Sequence, residues 1–303
     1  MAIGVLAAIL TNECLAGLNG SDDFNDNSKD ATWWGTDFIS GVGSLTETNG
    51  RLEYTTTGVP TAADFAVRPW ILNFGSYTQD WEVQIDISMP QLTLAPTQFV
   101  SLGLFVFPGT NINVAYTNRF YADFDQDGSD HEFKCQVAVN TSNIHLGVQS
   151  SVSTSAAVRV AFDATTKVLA AYYDEDGPVC GYSWKLLGST NISAGWNLTS
   201  TNVFGVSIMG NSGFTSIASS NNVFGDNFRA SSGKTPNLGI SLATGRVVLF
   251  WSTNAPACRL ACASALSPPV CWQFVTNVAA VVNTNFAVTN TVSSDQEFYR
   301  LSR

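Results

Sequence analysis

Two alternating runs joined by a polar turn, between Val158 and Gly177, constrain the fold more than any other stretch of this sequence. Val158, Val160 and Phe162 alternate with polar or small residues, which is the period of a β-strand with one buried face. The turn at 163–167 is rich in Asp and Thr, whose side chains bond nearby backbone groups. Such a hairpin is not stable alone and needs a second sheet against its apolar face. The stretch therefore predicts a β-sandwich.

The same pattern recurs over most of residues 22–229. Residues 44–55 predict a hairpin around Asn49-Gly50, because these two residues tolerate the positive φ angles of a tight turn. Residues 81–88 alternate without a fault, and the almost wholly apolar run 99–107 predicts a central strand covered on both faces. No amphipathic helix longer than two turns is evident. The pattern predicts an all-β fold.

The low content of charged residues and the negative net charge indicate where the protein acts and which partners suit it. Only 13% of the 303 residues are charged, about half the globular average, and the net charge is −10. A polar but uncharged surface is typical of secreted β proteins, so we expect an extracellular or cell-surface location on a bacterium. No basic stripe is present to neutralise phosphates, which argues against nucleic acid as a partner. Glycans, a cell-surface component and bound cations remain compatible.

The N-terminus carries an apolar run at residues 2–10, too short to span a bilayer. It has two interpretations: an export signal, with a small-residue neighbourhood at 15–17, or a retained apolar strand. The predicted organisation is therefore residues 1–20 as signal or strand, 21–230 as a jelly roll, 231–237 as a Gly/Pro/Ser-rich linker and 238–303 as a small C-terminal β domain.

The six cysteines have more than one interpretation. In an exported chain Cys135 can pair with Cys180, and two of Cys258, Cys262 and Cys271 with each other. Buried thiols or a single disulfide are the alternative that we favour.

Five segments together resemble the concanavalin A-like lectin/glucanase (laminin-G-like) jelly-roll superfamily. These segments are residues 22–26, 45–52, 81–86, 162–168 and 224–228. The resemblance implies that the first and last strands lie close together, bringing Asp23 and Asp226 into one region. Several relatives hold a structural ion near this seam, so Asp23 and Asp226 are candidate Ca²⁺ ligands. The alternative is that Asp and Asn residues here cap strand ends and accept backbone N–H groups. The ending Phe298-Tyr-Arg-Leu resembles small C-terminal β modules of secreted bacterial proteins.

A second cation candidate is the D-x-D-x-D-G run of Asp123, Asp125 and Asp127, followed by Asp130. Alternate carboxylates in a turning loop can converge on Ca²⁺. The run is not an EF-hand, because Lys134 stands where a bidentate Glu is required. The alternative is a solvated hairpin tip.

Glycan binding needs exposed aromatic rings beside polar groups. Trp33 and Trp34, in a polar loop, are the best candidates, and Trp184 and Trp196 are second choices. For any one of them, partial burial is the alternative.

Hydrolysis has weak support. The glucanase branch that the sequence resembles uses a strand with three acids on one face, and the nearest match, Glu82 to Asp86, lacks one of them. We therefore predict a non-catalytic extracellular binding or adhesion protein that contacts carbohydrate, with structural Ca²⁺ and no membrane span. The alternatives are a self-associating surface-filament subunit that donates its apolar N-terminal strand and, more weakly, a divergent glycoside hydrolase.

Overall fold

Two antiparallel sheets form the larger part of the molecule in a computed structural model. The structure describes residues 20–60, 63–111, 117–178, 181–193, 195–233, 238–243, 246–252, 258–265, 271–291 and 297–302. The eight-stranded sheet consists of β1 (Gly20–Asp22), β3 (Gly43–Thr48), β4 (Arg51–Thr56), β6 (Trp81–Ser88), β11 (Ser155–Asp163), β12 (Val168–Asp174), β13 (Lys185–Asn191) and β15 (Phe224–Ser232). The seven-stranded sheet consists of β2 (Phe38–Ser40), β5 (Ala63–Ser76), β7 (Phe99–Pro108), β8 (Arg119–Asp127), β9 (Asp130–Val139), β10 (Ser142–Ser151) and β14 (Val203–Gly213).

The two sheets bury one continuous core between them. Val83 and Ile85 of β6 enter it from one side, and Leu102 and Leu104 of β7 enter it from the other. These are the alternate residues of each strand, as a half-buried pleat requires. The prediction of an all-β sandwich is confirmed.

The predicted hairpins form as expected. β11 and β12 pair from Asp163 with Val168 to Ala157 with Asp174. The Asp163 carboxylate accepts the backbone N–H groups of Thr165 and Thr166, at 2.7 and 2.8 Å, which closes the turn. Between β3 and β4, Asn49 and Gly50 have φ angles of 56° and 69°. The turn chemistry was therefore readable from the sequence.

One predicted loop is wrong. β8 continues through Asp127 and β9 begins at Asp130, so the turn contains only Gly128 and Ser129. Asp123, Asp125 and Asp127 are consequently alternate residues of a strand, and they share one face of the seven-stranded sheet instead of forming a hairpin tip.

Two smaller sheets build a second core. One contains β16 (Gly239–Ala243), β17 (Arg246–Ser252), β20 (Ala280–Val282) and β21 (Asn285–Thr291), and the other β18 (Arg259–Ala263), β19 (Gln273–Phe274) and β22 (Phe298–Ser302). Leu249, Trp251 and Leu260 are buried in this core. It contacts the sandwich through Arg300, whose guanidinium donates to the backbone carbonyl of Tyr182.

The structure bears on the predicted linker and on the predicted cysteine pairings. β15 extends to Ser232, so the first two residues of the predicted linker belong to a strand.

Cys135, Cys258 and Cys262 are free thiols. The predicted pairing of Cys135 with Cys180 is therefore wrong, and so is a pairing among the last three cysteines. Cys271 is disulfide-bonded. The N-terminal apolar run lies outside the described residues. Within the described ranges, no helix is long and apolar enough to cross a membrane.

Candidate functional site

A cleft of about 430 Å³ opens on the face of the seven-stranded sheet that points away from the core. In β8, Phe120, Ala122 and Phe124 fill the core, so Tyr121 and Asp123 point to the opposite side. We call this site the outer-face cleft. Its aromatic lining consists of Phe65, Phe99, Phe105 and Tyr121. The site therefore combines ring faces from several strands with the polar row of β8.

Three acidic residues at the cleft form ion pairs with a single lysine. The Lys134 ammonium lies 2.7 Å from Glu132, 3.0 Å from Asp125 and 3.7 Å from Asp127. One carboxylate oxygen from each of these three acids lies within 4.8 Å of the others, which is a spacing that suits a metal ion. The ammonium already supplies the positive charge at this place, so the three acids fit a metal poorly.

Asp123 stands apart from that cluster. Its side chain is only 4% exposed, and its Oδ1 atom has no hydrogen-bond partner. Burial, followed by the charge of Asp125, raises the pKa of Asp123 to about 8. Asn211 of β14 also lines the cleft with an unpartnered Oδ1 atom. The lining of the cleft thus contains two buried oxygen acceptors without a hydrogen-bond partner.

Glycine allows the close strand approach beneath this site. Gly103 of β7 pairs with Asp123, and a Cβ atom at Gly103 would lie 2.3 Å from the carbonyl oxygen of Ala122. A side chain at this position would separate the two strands, so β7 and β8 hold Asp123 in place only with glycine here.

The structure removes two of the four predicted glycan-binding tryptophans. Trp34 is 1% exposed, and its indole Nε1 donates to Asp22 Oδ2 at 2.7 Å. Trp196 is 4% exposed and donates to the carbonyl of Ala138 at 3.2 Å. Both are core residues with satisfied N–H groups, so neither offers a ring face to a sugar.

The other two tryptophans are half-buried and lie apart from the cleft. Trp33 meets Trp70 edge to face, with ring centroids 5.3 Å apart. Trp184 stacks on Tyr182 at 4.9 Å, and the Arg159 guanidinium lies 4.8 Å from the Trp184 ring centroid. Trp184 therefore belongs to an aromatic stack on the eight-stranded sheet side.

The acidic seam between β1 and β15 forms a pocket of about 340 Å³ lined by Asp22, Asp23 and Asp26. Asp22 has both oxygens engaged, by the backbone N–H of Phe24 and by the Trp34 indole. Burial, and then the charges of Asp23 and Asp22, raise the pKa of nearby Asp226. A bound cation would relieve the repulsion among these carboxylates, although Arg229 also lines the pocket and Asp226 does not. Among the described residues, only Asp125, Asp127 and Glu132 bring three ligand atoms within 4.8 Å of one another.

Glu82 and Asp86 do not form a catalytic pair. They lie four residues apart on β6, which separates their Cα atoms by about 13 Å. The Asp86 carboxylate accepts the Tyr182 hydroxyl at 2.9 Å and the Asn227 amide at 2.9 Å, and Arg159 lies 3.7 Å from Glu82. Their role in this structure is to join strands and cover the sheet.

Sequence reasoning missed the aromatic half of the cleft. Phe65, Phe99 and Tyr121 come from three strands, and each was interpretable only as a strand residue. The available signal was the alternation in residues 119–127, where Tyr121, Asp123, Asp125 and Asp127 occupy one face.

Neither a scan against protein-family models nor a search of the curated proteins finds a match. Solved structures are similar in fold. Metal-free lectin I-B4 from Griffonia simplicifolia is 13% identical, with a TM-score of 0.46 over 71% of this chain and 100% of the lectin. Winged bean acidic lectin, complexed with methyl-α-D-galactose, is 15% identical, with a TM-score of 0.46 over 71% of this chain and 100% of its own.

A glycoside hydrolase family 43 protein, BlXynB from Bacillus licheniformis, is 13% identical. Its TM-score is 0.45, over 71% of this chain and 39% of that protein. The similarity is one of overall β-sandwich architecture, and neither a ligand nor an activity follows from it.

Proposed function

We propose that this chain is a non-catalytic extracellular binding protein and that the outer-face cleft binds carbohydrate. The observation that carries the proposal is the combination, in one cleft, of aromatic rings with the unpartnered acceptors of Asp123 and Asn211. A sugar stacks its C–H face on an aromatic ring, and its hydroxyls donate to such acceptors. The extracellular location is supported by the low content of charged residues.

Glycan-array screening followed by calorimetry tests this function. Tyr121→Ala removes a ring from the cleft and weakens binding about fivefold or more, from the loss of about 1 kcal/mol of ring contact. Tyr121→Phe keeps the ring and retains most of the affinity. Trp184→Ala is the matched control on the other sheet and leaves affinity unchanged. Loss of binding in Trp184→Ala but not in Tyr121→Ala would move the site to the Trp184 stack.

We propose Ca²⁺ as a structural ion at the seam that contains Asp23 and Asp226. The support is the pKa of Asp226, which is raised first by burial and then by the charges of Asp23 and Asp22. Millimolar Ca²⁺ then raises the Tm of the protein, and a chelator reverses the rise. Asp226→Asn abolishes the response, whereas Glu132→Gln in the Lys134 cluster retains it. A Tm that is insensitive to Ca²⁺ in the unaltered chain would refute the ion.

Hydrolysis is a second candidate function for the same cleft. Asp123 and Asp125 share one face of β8, with Cα atoms about 6.6 Å apart, so their carboxyl groups lie on one side of the strand, as the two acids of a glycosidase must. Burial raises the pKa of Asp123 to about 8 and that of Asp125 to about 6, so at neutral pH one is an acid and the other a base. Release of reducing ends from a bound glycan, abolished in Asp123→Asn, would establish hydrolysis. Binding without release supports the non-catalytic function.

Self-association is a further candidate, favoured by the edge strand β10. Ser142–Ser151 contains no Asp, Glu, Lys or Arg, and Ile144 and Val148 are 50% and 51% exposed. Edge strands normally carry charge to prevent pairing with another chain. If β10 accepts a strand from a second copy, sedimentation shows concentration-dependent oligomers that Val148→Lys dissociates. A monomer at all concentrations would exclude this candidate.

A further inference from the structure

The charges on the outer-face cleft are unequally compensated. Asp125, Asp127 and Glu132 share the ammonium of Lys134. Among the described residues, no lysine or arginine nitrogen comes within 4.0 Å of the Asp123 carboxylate. One acid of the row is therefore left without a counter-ion, although it is the most buried group of the cluster together with Asp125.

Asp123 lines the cleft with a buried carboxylate oxygen that has no hydrogen-bond partner. Ser101 supplies a hydrogen bond to this carboxyl group, yet Oδ1 has no partner, and Asp123 lines the cleft. A buried carboxylate oxygen without a donor is costly, since water no longer solvates it. A ligand that supplies a charged donor at this atom would recover that cost, whereas a neutral hydroxyl would recover only part of it.

A second oxygen in the cleft also lacks a hydrogen-bond donor. Asn211 Oδ1 is also an unpartnered acceptor in the lining of the cleft. The walls beside them are the rings of Tyr121, Phe99 and Phe105. A suitable ligand is rich in N–H and O–H donors, carries positive charge and has an apolar ring face.

We propose that the outer-face cleft selects glycans built from amino sugars with a free ammonium group, such as β-1,4-linked glucosamine. The ammonium donates to Asp123 Oδ1 while the sugar ring lies against Tyr121. This inference rests on the proposed carbohydrate-binding function and names the class of glycan. An acidic polysaccharide is disfavoured, because its carboxylates would face the acids of β8.

Three hexamers with the same linkage test the inference by calorimetry at about 0.15 M salt, where long-range attraction is screened. They are the hexamer of glucosamine, the hexamer of N-acetylglucosamine and cellohexaose. The unaltered chain binds the glucosamine hexamer about tenfold or more tightly than the two neutral hexamers. This comparison needs no variant.

Two variants identify the group responsible. Asp123→Asn binds the three hexamers alike, because its amide cannot ionise to pair with the ammonium of the ligand, while the side-chain shape is kept. Asp130→Asn removes an exposed charge from the neighbouring strand β9, outside the lining of the cleft, and retains the preference. Equal loss of preference in both variants would show general attraction by negative charge and overturn the inference.

The failures of the two proposals are distinguishable. If the unaltered chain binds a neutral glycan as tightly as the glucosamine hexamer, the amino-sugar inference is wrong and the carbohydrate-binding function stands. If no hexamer and no arrayed glycan binds, both are wrong.

Discussion

Asp123 shows how a single buried acid links stability to pH. Its pKa is raised to about 8 in the folded protein, chiefly by burial, against about 3.9 in an unfolded chain. A carboxyl with a raised pKa contributes stability below pH 4, and that contribution is lost as the pH rises through 8. The group is therefore a cost at neutral and alkaline pH.

Asp123→Asn removes this cost without changing the shape of the side chain. We expect the free energy of unfolding in urea to increase by about 1–3 kcal/mol at pH 8 and to be unchanged at pH 4. Asp127→Asn, at an exposed position, is the control and changes stability by about 0.5 kcal/mol or less. Destabilisation of Asp123→Asn at pH 8 would mean that the carboxylate is satisfied in the folded state.

At the residue scale, the sequence identified candidate tryptophans but did not predict which of them are exposed. Trp34 and Trp184 both stand in polar surroundings in the sequence, yet Trp34 is buried against Trp70 and Phe228 while Trp184 is half-buried on the sheet surface. Exposure depends on which strands become neighbours, and that pairing is not encoded near either tryptophan. The partner of the Trp34 indole, Asp22, lies 12 residues away.

At the scale of the element, the β7–β8 pair supports the cleft. The Cβ atom introduced by Gly103→Ala would lie 2.3 Å from a backbone oxygen and 2.5 Å from the Asp123 Cα atom, neither of which can move alone. We expect this variant to lose about 3 kcal/mol or more of stability, as overpacked strands do. Chemical denaturation measures the change.

Gly58→Ala provides the matched control for that substitution. No heavy atom lies within 4 Å of a Cβ atom at Gly58, so its stability changes by about 0.5 kcal/mol or less. Equal stability of the two variants would contradict the close approach of β7 and β8.

The strands were largely predictable, and the one error is instructive. Alternation identified β6 and the β11–β12 hairpin because their apolar rows are unbroken. In β8 the same alternation is present, but its outward residues are Asp123, Asp125 and Asp127. Asp is rare in strands, so the Asp content of this segment predicted a loop, although its alternation indicated a strand. The neutralising Lys134 lies on β9, and only the register of β8 and β9 shows that it makes such a strand tolerable.

Across the whole molecule, several buried acids give stability the same dependence on pH. Burial raises the pKa of Asp86 to about 6, that of Asp174 to about 7 and that of Asp123 to about 8. Each loses its stabilising effect as the pH rises from about 4 through these values. Buried His131 acts in the opposite direction: burial lowers its pKa, so the unfolded chain takes up the proton first and stability falls as the pH drops below about 6.5.

We therefore expect the protein to be more stable at pH 5.5 than at pH 8, since three acids outweigh one histidine. Calorimetric Tm values measured across this range at constant ionic strength test the expectation. The net charge of −10 at pH 7 adds self-repulsion in the same direction. A Tm that rises steadily from pH 5.5 to pH 8 would show that these carboxyls are ionised and stabilised in the fold.

The architecture of the whole molecule followed from the sequence, whereas the position of its binding surface did not. Short alternating strands specify two facing sheets, but the outer-face cleft draws Tyr121 and Asn211 from strands 90 residues apart in the chain. Only the order of β8, β7 and β14 brings these residues to one face.

A crystal structure of the chain with a bound glycan tests the central claim most directly. We predict sugar density in the outer-face cleft, with a ring against Tyr121 and a polar atom within hydrogen-bond distance of Asp123 Oδ1. Density at the Trp184 stack or at the acidic seam, with the cleft empty, would contradict the account.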